Sequence, residues 1–174
     1  MLKTSHLVRA VAAAAVLCCA GSAFAEGRFV PEVGFGYGAG GKISPNTGGT
    51  RDTLTLNAAF GYRFDSGLGV RAMFFGDMDP FGPNNPDERA FDQFTGVQAT
   101  AYVPLADKFN FMGGLGIGRT DLKRSTSGHD TRTDGVVSAG LQVTFVKHYA
   151  MELRMDYLTQ THERNLVLMA QIPF

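Results

Sequence analysis

Charged side chains alternate with large apolar ones over residues 151–157, where Glu152, Arg154 and Asp156 share one parity. In an extended strand, side chains two residues apart project from the same face and lie about 7 Å apart. Arg154 is therefore predicted to lie between two carboxylates. Such a row could line a polar pathway for solutes, or it could belong to an ion-pair network that fills an interior. With the charged residues predicted to face the same interior, the candidate network comprises Glu32, Arg63, Arg71, Glu152, Arg154 and Asp156.

Covalent catalysis would need a nucleophile such as serine beside a histidine base. The histidines beyond residue 25 are His129, His148 and His162. His129 follows two serines, but in a polar segment, and His148 lies in a predicted turn. No serine is near His162. Because none of the three has the spacing of a nucleophile–base pair on a strand, the sequence predicts that the protein is not an enzyme.

Carboxylates that could bind a hard cation such as calcium occur between residues 77 and 88. They are Asp77, Asp79, Asp87 and Glu88. Their spacing matches no known calcium-binding loop. The sequence therefore predicts neither a metal site nor a cofactor.

The N-terminus has the three parts of a secretory signal peptide. Lys3 and Arg9 give it a positive start, an apolar run covers residues 10–20, and small residues lead to Ala25. We expect cleavage after Ala25, so residues 1–25 form the signal peptide and residues 26–174 the mature domain. Both cysteines of the chain fall within the leader, and the mature chain therefore has no disulfide.

The mature chain has the size of a single domain and is nearly neutral. Lys3 and Arg9 are 2 of the 16 basic residues, which leaves 14 against 16 acidic ones. It has no basic tract for nucleic acid and no apolar run long enough for a membrane helix. If this chain enters a membrane, it must do so as a closed barrel, in which every backbone polar group is paired.

The last ten residues, 165–174, alternate with period two and end on an aromatic side chain. One face is wholly apolar, which predicts a strand whose other face is mixed. The final strand of a barrel must pair with the first to close it, so this segment is predicted to be the closure and assembly signal. Its outward residues are Leu166, Leu168, Ala170, Ile172 and Phe174.

The same alternation recurs along the mature chain and predicts an all-β, eight-stranded, antiparallel up-and-down transmembrane β-barrel. Strands of about ten residues are the length that crosses a bilayer at about 45° of tilt. The connections alternate between long and short up to a brief last one at 159–163, which is the pattern of outer loops and periplasmic turns. The even count places both termini on the periplasmic side. The predicted strands cover 28–38, 53–64, 68–75, 91–103, 109–118, 137–145, 149–157 and 165–174, with a long polar loop over 121–133.

Aromatic residues with outward parity gather near the strand ends, as expected of the two girdles at the membrane interfaces. Phe91 and Phe94 have opposite parity, so a bulge in the fourth strand is one interpretation of that segment. At the short-turn end the girdle residues are Tyr62, Phe64, Phe109, Phe111, Phe145, Tyr149 and Phe174. At the long-loop end they are Phe35, Tyr37, Phe74, Phe91 and Tyr157.

In its leader, its eight alternating strands, the segment 151–157 and its terminal Phe174, the chain resembles the small eight-stranded outer-membrane barrels. These are the barrels like the OmpA transmembrane domain and the OmpX/Ail group. The resemblance implies a monomer in the outer membrane. It also implies contact with membrane lipids and lipopolysaccharide, and passage through periplasmic chaperones and the barrel-assembly machinery. Basic residues that could touch lipopolysaccharide phosphates at the rim are Arg51, Lys123, Arg124 and Arg132.

Three functional hypotheses follow from the predicted barrel. The favoured one is a non-enzymatic barrel with an envelope-structural or surface-interaction role. The first alternative is a narrow porin-like channel for ions or small solutes, and the second is an enzyme that modifies lipid A. An eight-stranded interior is only wide enough for side chains, and buried charges must be paired. These two constraints favour an ion-pair network that fills the lumen over a solute pathway.

Overall fold

The computed structural model describes residues 26–40, 51–78, 89–124, 129–146 and 148–174. Eight antiparallel strands follow one another around a closed barrel, and β1 pairs with β8 to complete it. The predicted fold class is therefore confirmed. In the ranges just given, no helix is long and apolar enough to span a membrane. The strands are β1 Gly27–Gly40, β2 Arg51–Phe64, β3 Leu68–Asp77, β4 Arg89–Ala106, β5 Phe109–Arg124, β6 His129–Val146, β7 Tyr149–Leu158 and β8 Arg164–Gln171.

Alternating burial explains why these segments are strands. Along β7 and β8, buried and exposed side chains alternate almost without exception. The exposed side chains are apolar, with Leu115 66% exposed and Leu153 50% exposed. The buried row includes charged and amide side chains, among them Arg154 and Gln142. A polar interior inside an apolar wall is the arrangement of a barrel whose solvent is lipid.

The barrel closes through the last strand. β8 pairs with β1 from Arg164 opposite Ala39 to Gln171 opposite Glu32. Backbone hydrogen bonds continue beyond the end of β8, because Phe174 N donates to Phe29 O at 3.0 Å and Phe29 N donates to Phe174 O at 3.1 Å. The terminal residues thus extend the seam in which neither strand has a free edge.

The predicted loop over 121–133 is wrong for most of its length. β5 continues to Arg124 and β6 begins at His129, so the two strands pair as far as Lys123 opposite His129. Thr131 Oγ1 donates to Asp121 Oδ1 at 2.9 Å across this hairpin. Polar side chains were interpreted as a loop because they lack the alternation of a membrane strand. A paired strand that projects into water needs no apolar face.

The fourth strand contains the bulge, between Phe91 and Gln93. The extra residue brings Phe91 and Phe94 to the same side of the wall, and both are buried inside. The assignment of Phe91 to the outer girdle is therefore wrong.

The other aromatic residues of the two predicted girdles lie on the outer face, exposed or half-buried. At the short-turn end they contact one another, since the Tyr62 ring centroid lies 5.0 Å from that of Phe29 and 5.1 Å from that of Phe64. The signal peptide prediction concerns residues 1–25, which lie outside the described residues.

Candidate functional site: the barrel interior

Five of the six predicted lumen charges meet in one ion-pair network. Arg154 Nη1 lies 2.8 Å from Glu152 Oε1 and 3.5 Å from Glu32 Oε2, and its Nε lies 2.8 Å from Asp156 Oδ1. Arg71 Nη1 lies 3.1 Å from Glu32 Oε2 and 3.2 Å from Glu152 Oε1. The two guanidinium groups therefore share three carboxylates contributed by β1 and β7.

Neutral side chains extend the network between β3, β4, β6 and β7. Arg71 Nη2 donates to Gln98 Oε1, and Gln98 Nε2 donates to Ser138 Oγ at 2.7 Å. The Ser138 hydroxyl in turn donates to the carboxylate of Asp156. This chain of hydrogen bonds joins the two arginines of the network around the far side of the lumen.

Glu152 receives two further donors from the periplasmic side. Tyr102 OH and Gln171 Nε2 each donate to its Oε2 at 2.9 Å. Gln142 Nε2 donates to Gln171 Oε1 and extends this branch. Each carboxylate of the network therefore accepts from charged or polar donors, which is the condition under which buried charge is tolerated.

Arg63, the sixth predicted residue, is placed differently. In the described part of the chain it forms no ion pair, and it is only half-buried. Its guanidinium carbon lies 3.4 Å above the centroid of the Tyr102 ring, and its Nη1 donates to Gln142 Oε1 at 3.2 Å. Arg63 thus joins the network through a cation–π contact and an amide, and its charge balances the three carboxylates against three arginines.

The interior beside Arg63 and Arg71 is tightly filled. A cavity there, lined also by Glu32, Thr100 and Tyr102, has a volume of about 10 Å³. That is room for about one water molecule. Glycines of β5 create space that β4 fills: a Cβ at Gly114 would lie 2.6 Å from the Gln98 side chain.

An apolar layer follows the ion-pair network toward the outer loops. Phe75 stacks between Phe91 and Phe94, with ring centroids 5.5 and 5.1 Å away. On β3, Phe75 is four residues beyond Arg71, and on β7 Leu158 is two residues beyond Asp156. The lumen is therefore blocked twice, first by paired charges and then by aromatic rings. The buried members of the layer are Met73, Phe75, Phe91, Phe94, Val136 and Leu158.

The connection between β7 and β8, residues 159–163, covers the outer end of the interior. Asp134 holds it, since its carboxylate accepts from Gln160 N at 2.7 Å, from Thr161 N at 3.1 Å and from Thr161 Oγ1 at 2.8 Å. Glu163 ends the connection with its side chain inside the barrel, 1% exposed. Burial, followed by the carboxylates of Asp77 and Asp52, raises the pKa of Glu163 to about 8.

The structure places the histidines away from any catalytic arrangement. His148 Nδ1 lies 3.2 Å from Pro173 O in a periplasmic turn, and His162 Nδ1 lies 2.7 Å from Tyr157 OH at the outer end. The side chain of His129 is outside the described residues. Across the described ranges, no group of three or more His, Cys, Asp or Glu side chains is arranged to hold a metal ion.

The closure residues predicted from the last ten positions form an exposed row. Leu166, Leu168 and Ile172 are exposed on the outer face, and Phe174 is 67% exposed at its periplasmic end. Ala170 belongs to the same row. These side chains contact the surroundings of the barrel, and the pairing with β1 is made by their backbone.

The sequence prediction missed the neutral members of the interior. Gln98, Tyr102, Ser138, Gln142 and Gln171 share the parity of the charged residues on their strands, so parity could have identified them. Glu163 had no such signal, because it lies in a connection between strands.

A closed eight-stranded barrel with an apolar exterior, aromatic girdles and a paired polar interior is an integral transmembrane β-barrel. The family described as outer membrane protein beta-barrel domain matches residues 10–166, and the chain belongs to it. The family implies an outer-membrane location, and so do solved structures that share the fold.

Three solved structures illustrate the likeness. Neisserial surface protein A has a TM-score of 0.65 at 13% identity, over 84% of this chain and 97% of its own. The N-terminal β-barrel domain of Pseudomonas aeruginosa OprF has a TM-score of 0.61 at 15% identity, over 86% and 100%. Ail, the attachment invasion locus protein of Yersinia pestis, has a TM-score of 0.59 at 17% identity, over 86% and 99%. At these identities the likeness concerns the fold alone. No curated protein matches the chain.

Proposed function

We propose that this protein is a non-enzymatic outer-membrane barrel with an envelope-structural or surface-interaction role, whose interior is a packed core. The observation that supports this proposal is the double filling of the lumen, by the ion-pair network and then by the apolar layer. A solute pathway would have to break both.

The energetics of the network favour a permanent structure. Arg154 is 1% exposed and contacts three carboxylates. Separating one partner of a buried ion pair costs about 3–5 kcal/mol. A channel that opened through this level would have to move Arg154 or Arg71 away from its partners, and the aromatic layer would still close the path beyond them.

Export and partners form the second part of the proposal. Residues 1–25 direct secretion and are removed after Ala25, and residues 26–174 insert as a monomer with the help of periplasmic chaperones and the barrel-assembly machinery. The exposed row from Leu166 to Phe174 carries the assembly signal.

Contacts with lipopolysaccharide are proposed for cations at the outer end of the lipid-facing rows. Arg119 continues the outward row of β5 and is exposed, as is Arg164 on β8. Of the basic residues expected there from sequence, Lys123 instead pairs with Asp92 at 2.9 Å, and Arg132 is half-buried. The side chains of Arg51 and Arg124 lie outside the described residues.

Conductance in planar lipid bilayers tests the packed-core proposal. The purified barrel should show no steady conductance. The matched control combines Arg71→Ala, Phe75→Ala and Phe94→Ala, which removes side chains from both levels and should conduct. A regular, open wild-type pore would replace the proposal by the porin-like alternative.

Two further measurements test the remaining parts. Lipid A from cells with and without the protein should have the same mass spectrum, and a new acyl or headgroup form would establish an enzyme. Binding of lipopolysaccharide to the barrel in phosphatidylcholine vesicles should weaken in the Arg119→Ala, Arg164→Ala double variant. Unchanged binding would exclude these two cations as contacts.

A further inference from the structure

The buried carboxyl group of Glu163 is a feature that neither the ion-pair network nor the apolar layer uses. It lies in the 159–163 connection rather than in a strand, and neither of its oxygens has a hydrogen-bond partner in the described part of the chain. The side chain lies over Gly38, where a Cβ would come within 2.6 Å of Glu163 Oε1. The missing side chain at Gly38 thus makes the seat for this carboxyl.

The groups that face this seat carry no described positive charge. From β2, Asp52 and Thr53 approach it, and the Thr53 hydroxyl donates to the carboxylate of Asp77 on β3. From β1, Gly38 and Gly40 present only backbone.

The remaining neighbours are accounted for in other ways. On β6, Asp134 is engaged with Gln160 and Thr161. On β8, Arg164 is exposed on the outer face. Arg51 pairs with Gly40 through the backbone at the end of β2. An ionised Glu163 would therefore be a buried anion facing two other carboxylates, which is a costly arrangement.

The connection has one firm attachment and one conditional attachment. Asp134 holds Gln160 and Thr161 whatever the state of Glu163. At the other end, His162 has a left-handed backbone with φ of 56°, and Glu163 follows immediately. Non-glycine residues adopt this conformation at a cost unless the surroundings hold them there.

We infer that the 159–163 connection is a proton-controlled latch at the outer mouth of the barrel, seated when Glu163 is protonated and loosened when it is ionised. A neutral carboxyl fits the seat over Gly38. An ionised one is drawn to water and repelled by Asp52 and Asp77, and the hinge at His162 allows the end of the connection to lift. The latch concerns the surface facing the exterior and does not depend on whether the interior conducts.

The direction of the pH effect follows from the pKa. The pKa of Glu163 is about 8 in the seated state, against an ordinary value of 4.5. The seated state therefore holds its proton over a range in which the lifted state has lost it. Seating is fully favoured below about pH 4.5 and weakens as the pH rises toward about 8.

NMR of the full barrel in phospholipid nanodiscs tests the inference. The side-chain carboxyl carbon of Glu163 should titrate with a midpoint near 8. The amide signals of Gln160, Thr161 and His162 should shift with the same midpoint. Hydrogen exchange at the Glu163 and His162 amides, corrected for intrinsic rates, should accelerate at least tenfold between pH 6 and pH 9.

Three variants test which side chains control the latch. Glu163→Gln keeps the shape of the seated side chain and should abolish the pH response of the connection. Asp77→Asn should lower the Glu163 midpoint, since it removes a facing carboxylate. His162→Asn suits the left-handed backbone and removes the neighbouring imidazole, so the response should persist.

Several results would overturn the inference. They are a Glu163 midpoint below 6, a midpoint near 8 without movement of the connection, or a pH response that survives Glu163→Gln. An Arg51→Gln variant that raises the midpoint by one unit or more would also do so, because Arg51 would then supply the counter-charge.

Discussion

Arg154→Ala is the substitution with the largest expected effect on the interior. Among the described residues, Arg154 provides the only cation bound to Asp156, and it shares Glu152 and Glu32 with Arg71. Its removal leaves three carboxylates with one arginine of the network, and Asp156 keeps only the Ser138 hydroxyl. Stranding one partner of a buried ion pair costs about 3–5 kcal/mol of unfolding free energy, and we expect a loss in that range.

A compensating substitution tests whether the loss comes from stranded charge. Asp156→Asn combined with Arg154→Met removes the one carboxylate that depends on Arg154 alone, while Glu32 and Glu152 keep Arg71. This double variant should lose less than half of what Arg154→Ala loses. Neutralising Glu152 instead should compensate less, because Glu152 still has Arg71 while Asp156 stays stranded.

Urea unfolding in lipid vesicles, followed by circular dichroism and by heat-modifiable migration on gels, measures these differences; the chain has no tryptophan to report by fluorescence. Arg119→Ala is the matched control, because its ion pair with Asp121 is exposed and such pairs contribute about 0–1 kcal/mol. An Arg154→Ala barrel as stable as the control would show that water already solvates these carboxylates. The packed-core interpretation would then be wrong.

Three further outcomes are expected. Deleting Phe174 should impair insertion in cells, because β1 loses its two backbone hydrogen bonds at Phe29, and normal surface levels of heat-modifiable protein would contradict this. Phe75→Ala and Phe94→Ala should each lower the unfolding free energy by about 3–5 kcal/mol in urea titrations, and an unchanged midpoint would refute their role as core. Arg63→Ala should cost only about 1–2 kcal/mol, since it removes a cation–π contact and one hydrogen bond, and a loss as large as that of Arg154→Ala would make Arg63 a full member of the network.

The sequence by itself determined the class of fold and the side of the wall on which most residues lie. Both follow from period two, because in an extended chain each side chain points opposite to its neighbours whatever the strand pairs with. For this reason Glu152, Arg154 and Asp156 could be placed together inside the barrel. The alternation of connection lengths added the orientation in the membrane.

Parity failed where the local geometry changes. The bulge beside Phe91 turned an expected girdle residue into a core residue, and the polar hairpin after Thr120 remained paired beyond the apolar band. Neither feature leaves a mark on the alternation of apolar residues. A bulge depends on the neighbouring strand, and a solvated strand has no face to bury.

Only the tertiary structure decided which inward residues meet. Register around the closed barrel brings Arg71 to the level of Glu32 and Glu152, while Arg63 lies at the level of Tyr102. It also lays Glu163, from a connection, over Gly38 on β1. Parity is a property of one strand, whereas register is set by packing and hydrogen bonding between strands that the chain brings together only when the barrel closes.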